Sequence, residues 1–180
     1  MTMDVGLLIL QVVIGLLMMG HGAQKLFGWF GGQGLRATTD WLAGMGLRAP
    51  RFWALMAGLA EFGGGLLFAL GLFHPLGPLA IIAVMIAAIA LVHWSHGLWI
   101  SNGGSEYSLV LLVLAAVMGL WEPGAYTLDR FFGIALPQPQ TFWIGLILIL
   151  ILIGVAFALL SRQHRSLASP AGNAGQVANS

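Results

Sequence analysis

The chain has 180 residues, of which 59% are hydrophobic and 7% charged, with a net charge of +1 and no cysteine. That balance is far from an average soluble domain and marks an integral membrane protein. A near-neutral chain without a basic stripe argues against nucleic acid as a partner, and the absence of thiols excludes disulfides, thiolate-held iron–sulfur clusters and sulfur transfer on this chain's own cysteines.

Five apolar stretches approach the roughly 20 residues needed per crossing. The first, at about 5–25, lacks a basic leader and a small-residue cleavage site, so it is read as a helix rather than a signal peptide. It ends in GHGAQKLFG, which sets His21 and Lys25 one helical turn apart on one face. A Gly-rich segment from Trp29 to Arg51 follows, in which Thr38-Thr39-Asp40 is expected to cap a short interfacial helix at Trp41-Leu42. The second span, at about 52–73, places Glu61 on a face shared with Gly64 and Gly65, small residues that let a backbone or a ligand come close to the carboxylate. After a tight turn, the third span, at about 78–96, ends in HWSH and puts His93 and His96 on a stripe with Met85 and Ile89. Glu106 opens the fourth and shortest span, at about 107–121. A loop with three prolines leads to the fifth, at about 142–160, and a polar tail at 161–180 is expected to be disordered. The chain therefore reads as an all-α integral membrane protein with one transmembrane domain over residues 1–160.

Orientation follows from the seven Lys and Arg. With five crossings and the C-terminus inside, Lys25, Arg36, Arg48, Arg51, Arg162 and Arg165 are cytoplasmic and only Arg130 is outside. Trp29, Trp41, Trp53, Trp94 and Trp99 then fall at the inner interface and Trp121, Tyr126 and Trp143 at the outer one, as aromatic belts do. At about 1.5 Å of rise per residue, His21 lies roughly 24 Å from the outer start of its helix and Glu61 about 15 Å from the inner start of its own. The ionisable groups thus converge on the cytoplasmic half, with Glu61 nearest the midplane and Lys25 able to snorkel to the interface. Ionisable groups at such depth are functional candidates by default.

The ordered pieces GHGAQKLFG, WLAGMGLRAP, GLAEFGGGLLFALGL, NGGSEYSL and GAYTLDR together resemble the DoxX family of small prokaryotic membrane proteins. The resemblance covers roughly residues 5–130 and implies a four-helix membrane bundle in a prokaryotic cytoplasmic membrane, to which this chain adds a C-terminal transmembrane helix. The positions that match are Gly20, His21, Lys25, Gly28, Glu61, Gly64, Asn102, Glu106, Leu128 and Asp129. It also implies a membrane redox accessory, since some relatives are subunits of thiosulfate:quinone oxidoreductase and others associate with oxidative-stress or quinone-detoxifying systems.

The resulting expectation is a quinone-like lipophilic substrate among the first four helices. His21 and Lys25 would meet its oxygen, and Glu61 with His93 would exchange protons. His96, Glu106 and Gly64 complete the expected substrate contacts, and a redox partner protein would supply electrons. Structural alternatives stand beside each: Lys25 as an interfacial anchor, His93 and His96 as helix-end residues, Glu106 at a helix start, Gly64 as packing, and Asp129 as a brace of the outer loop. A non-catalytic scaffold subunit and a proton-coupled carrier are competing readings. Haem between His21 and His93 ranks low for want of a signature, and HWSH lacks a third metal ligand. The oligomeric state is open, with a homo-oligomer among the alternatives.

Overall fold

A computed structural model describes residues 2–168, and all the regular structure in it is helical. Helix α1 spans Thr2–Phe27, α2 Gly34–Gly44 and α3 Pro50–Leu70. Helix α4 covers Leu76–Ala88 and runs on through a π-helical turn, Ile89–His93, and a 3₁₀ turn, Trp94–His96. Helices α5 Glu106–Leu120, α6 Leu128–Phe132 and α7 Gln140–Ala168 complete the chain.

Four of these segments, Thr2–Phe27, Pro50–Leu70, Leu76–His96 and Gln140–Ala158, are long and apolar enough to cross a membrane. Helix α5 has only 15 residues, about 22 Å. Its two ends nonetheless meet opposite ends of α1. The His21 ring nitrogen lies 3.3 Å from the Tyr107 hydroxyl, and beyond the far end of α5 the Ala125 amide donates to Asp4. Helix α5 and the loop that follows it thus together run along the length of α1.

Glycines bring the backbones of α1 and α3 close together along their seam. A Cβ at Gly15 would meet the Gly65 carbonyl oxygen and the Ala69 amide at 2.6 Å, and one at Gly22 would meet the Phe62 amide at 2.4 Å. One step further along the antiparallel pair, Leu26 fills the space beside Gly58. Met18 and Ile14 of α1, Phe68 of α3, Leu79, Ile82 and Met85 of α4 and Leu111 and Ala115 of α5 form the common core. Helix α7 packs on α4, with Phe142 buried against Gly119 and Pro78 and its remaining apolar surface largely exposed, as suits a helix facing lipid.

Three expectations change. Helix α2 starts at Gly34, ahead of Thr38 and Thr39, whose hydroxyls donate to the Gly34 and Leu35 carbonyls one turn back. They lie inside the helix and cap nothing, because a β-hydroxyl within a helix reaches the i−4 carbonyl more readily than a free amide. The π and 3₁₀ turns at the end of α4 break the 3.6-residue register, so the stripe of Met85, Ile89, His93 and His96 does not continue as a regular helical face. Helix α7 runs on to Ala168, so residues 161–168 of the expected tail are helical, and residues 169–180 lie outside the described residues.

Where α3 turns into α4, Asp129 accepts from the Phe73 and His74 amides, each at 2.7 Å, and its own amide donates to the Gly71 carbonyl. The carboxylate ties its own loop to the turn between α3 and α4. Burial holds the neighbouring His74 imidazole below its ordinary value of 6.5, against the opposing pull of the Asp129 charge. The unfolded chain takes up this proton below about 6.5 and the folded chain resists it, so the ring withdraws stability as pH falls. Thermal unfolding in detergent should show a midpoint that drops between about pH 7 and pH 5, and His74→Gln should flatten that part of the profile. An equal slope in both proteins would show that other groups carry it.

Candidate functional site at the Lys25–Glu61 end of the α1–α3 seam

The Gly15, Gly22 and Gly58 contacts set the register that delivers Lys25 of α1 to Glu61 of α3. The Lys25 ammonium donates to Glu61 Oε1, forming an ion pair whose partners are very unequally buried, with side-chain exposure of 33% for Lys25 and 4% for Glu61. Lys25 bridges the pair to the surface by its flexible stem. The other carboxylate oxygen, Glu61 Oε2, is buried and has no hydrogen-bond partner.

A second pair stands beside the first. The His21 ring, one turn before Lys25, lies 3.3 Å from the Tyr107 hydroxyl at the start of α5, with the two rings tilted at 58°. The two pairs, Lys25–Glu61 and His21–Tyr107, are drawn from three helices and share α1, where His21 and Lys25 stand one turn apart. Sequence reasoning missed Tyr107. Its position as the first residue of the fourth span, on the side where the first span ends, was the available signal.

His21 also lines an open cavity of about 570 Å³. Its walls are apolar, formed by Leu16, Met19 and Gly20 of α1, Phe62 of α3, and Trp29 and Phe30 of the loop after α1. A Cβ at Gly20 would meet nothing within 4 Å, so this glycine borders open space rather than a neighbouring helix. Gln24, also in the wall, donates to the Phe30 carbonyl and ties down the loop that closes one side.

The other expected site residues have different partners. The His93 Nδ1 lies 2.7 Å from the Gly103 carbonyl, and no hydrogen bond joins it to Glu61. The His96 ring is exposed and contacts the Val92 carbonyl at 3.0 Å. Glu106 Oε2 accepts from the Ile100 amide at 3.0 Å, closing the loop that leads into α5. These three residues organise the α4–α5 connection, where helix ends leave backbone groups that side chains must satisfy. Gly64 faces Ala80 of α4, whose Cβ would lie 2.4 Å from an added Cβ, so it is a packing glycine. The two histidines weighed as haem ligands each have their own partner, Tyr107 for His21 and Gly103 for His93. Among the described residues no group of three His, Cys, Asp or Glu could hold a metal ion.

Apolar membrane-length helices around an ion pair at depth define a polytopic helical membrane protein. The chain belongs to the DoxX family, whose model matches residues 6–94, from α1 through the π turn that ends in His93. Lys25, Glu61, His21 and the whole apolar cavity fall inside that match, and Tyr107 and Glu106 lie beyond it. No curated protein and no solved structure matches the chain.

Proposed function

We propose that this protein is the membrane subunit of a redox system and that it binds a quinone-like ring in the cavity beside His21. The observation that carries the reading is an apolar cavity of about 570 Å³ with a protonatable ring, His21, in its wall, one helical turn from the lysine of a buried ion pair. Ligand sites combine mostly apolar lining with a few placed polar groups, and this cavity has that composition. A quinone takes two protons with two electrons. His21, 3.3 Å from the Tyr107 hydroxyl, can pass protons, and no cysteine on this chain supplies a thiol redox centre. Electrons come from a partner docked on the inner face formed by α2 and its flanking loops, where Arg36, Arg48 and Arg51 lie. That face is the cytoplasmic one by the distribution of Lys and Arg.

The test is direct binding of a short-tailed quinone analogue to purified protein. Gly20→Leu should abolish binding by filling the cavity while leaving thermal stability unchanged, since the space beside it is open. His21→Ala should weaken binding roughly tenfold, the value of one hydrogen bond in a dry site. Unchanged affinity in both variants would reject the cavity. A stable partner whose activity survives Glu61→Gln would instead favour a scaffold role, for which the bracing contacts of His93 and Glu106 are the supporting observation.

A further inference from the structure

Three of the residues that line the cavity beside His21 are aromatic: Phe62 of α3, and Trp29 and Phe30 of the loop after α1. Phe27, the last residue of α1, joins them, with its ring centroid 5.6 Å from that of Phe62 and 4.9 Å from that of Trp29, and the Trp29 ring lies 6.4 Å from Phe30. The rings form a continuous run along the cavity. Trp29 and Phe30, at the end of that run, remain 56% and 75% exposed, so the protein's own core does not consume their surfaces.

The backbone under these two rings is held in an unusual shape. Phe30 has a φ of +53°, in the left-handed region that a bulky side chain rarely adopts. The loop closes on itself at a neck where Gly28 and Gly34, with φ of +74° and +78°, come so near that a Cβ at Gly28 would stand 3.4 Å from the Gly34 amide nitrogen. Gln24, one turn after His21 on α1, donates from its side-chain amide to the Phe30 carbonyl at 3.1 Å. Gly32 lies against the Gln24 backbone, where an added Cβ would be 2.5 Å from the Gln24 carbonyl oxygen. A left-handed phenylalanine persists only where its surroundings over-determine it, and such outliers gather at ligand clamps. Aromatic residues that only mark a membrane interface need neither the latch nor the strain.

We infer that the Trp29–Phe30 loop is the ring-recognition element of this cavity, that the ligand it selects carries a flat conjugated ring, and that Gln24 is the positioning residue that holds the loop against that ring. The inference rests on the cavity proposed above as the ligand site. It adds what the cavity selects, which is the π face of the ring as well as its oxygens and its tail. Each offset or edge-on ring pair contributes roughly two- to tenfold in affinity beyond the area it buries. His21 does not discriminate in this respect, because a carbonyl oxygen is the same kind of acceptor on a flat ring and on a saturated one.

The experiment compares two probes with the same short isoprenoid tail on the purified full chain in nanodiscs: a 1,4-benzoquinone and the corresponding cyclohexane-1,4-dione. Both present two carbonyl oxygens, and only the first is flat and conjugated. The unsubstituted protein should bind the quinone about tenfold more tightly than the dione, a comparison that needs no variant. Trp29→Leu and Phe30→Leu keep apolar bulk and remove the ring, so each should lower quinone affinity severalfold and leave dione affinity unchanged. Gln24→Glu sets an acceptor against the Phe30 carbonyl and should reduce the quinone preference about threefold or more at pH 8. That preference should return toward pH 4, where the new carboxyl regains a proton to donate, with the unsubstituted protein as reference at each pH. A merely structural role for Gln24 would lower both affinities together and give no such pH profile. Equal binding of the two probes to the unsubstituted protein, or a preference that survives both ring deletions, would overturn the inference, and loss of both affinities in Gly20→Leu would then leave the cavity reading standing. If neither probe binds, or if Gly20→Leu leaves both affinities intact, the cavity reading fails and the inference with it.

Discussion

Replacing Lys25 by methionine should destabilise the protein far more than replacing Glu61 by methionine, and combining the two should restore most of the loss. The asymmetry follows from burial. Removing Lys25 strands a carboxylate that is 4% exposed with both oxygens unpartnered, whereas removing Glu61 leaves an ammonium that is 33% exposed and free to reach water. Breaking a buried pair by deleting one partner costs about 3–5 kcal/mol when the survivor cannot be solvated, and replacing both by apolar residues of similar size is often neutral or better. Lys25→Met should therefore lose about 3 kcal/mol or more, Glu61→Met about 1 kcal/mol, and the double variant little. Reversible unfolding in mixed micelles measures all four members of the cycle. Equal losses in the two single variants, adding in the double, would show that the two groups do not interact energetically.

The second large effect should come from the glycines of the α1–α3 seam. An added Cβ at Gly22 would stand 2.4 Å from the Phe62 amide, and one at Gly15 would meet the Gly65 carbonyl and the Ala69 amide at 2.6 Å. These neighbours are backbone atoms, so no rotamer change relieves the overlap and the helices must separate. Overpacking costs typically about 1–3 kcal/mol where side chains can adjust. Gly15→Val with Gly22→Val should exceed that range and prevent stable folding. Separation would also draw Lys25 away from Glu61, so the seam and the ion pair should fail together. Gly20→Ala is the matched control: with nothing within 4 Å of the new methyl group, it should be neutral or stabilising by up to about 1 kcal/mol, because alanine is the better helix former. A melting temperature equal for the seam variants and the control would contradict the close approach of the two backbones.

The legibility of the sequence differed by the kind of residue. Glu61, His21 and Lys25 were visible because a charge or an imidazole in apolar sequence is costly enough to stand out alone, and depth counted along each helix put them in the same half of the membrane. Tyr107 was not visible, since a tyrosine near a membrane interface is common and only its 3.3 Å contact with His21 on another helix distinguishes it. His93 and His96 looked like site residues on a regular stripe. The π and 3₁₀ turns changed their directions, and the loop carbonyls nearby claimed His93. No propensity marks such a change of helix type, because it is set by how the chain end must meet the loop that follows. Gly64 and Gly65 could be assigned to close packing in advance, but which neighbour each admits, α4 for one and α1 for the other, depended on how three helices assemble.

The sequence by itself determined that the chain is an apolar helical membrane protein, where its long helices run, and which ionisable residues lie at depth. Those properties follow from hydropathy and helical rise, which act along one segment at a time. Tertiary structure decided which of those residues meet: Lys25 with Glu61, His21 with Tyr107, and neither with His93. It also left Glu61 Oε2 buried without a donor. Such pairings depend on the register between helices, and here that register is set by glycines whose missing side chains carry no chemical signal until the backbones they admit are in place.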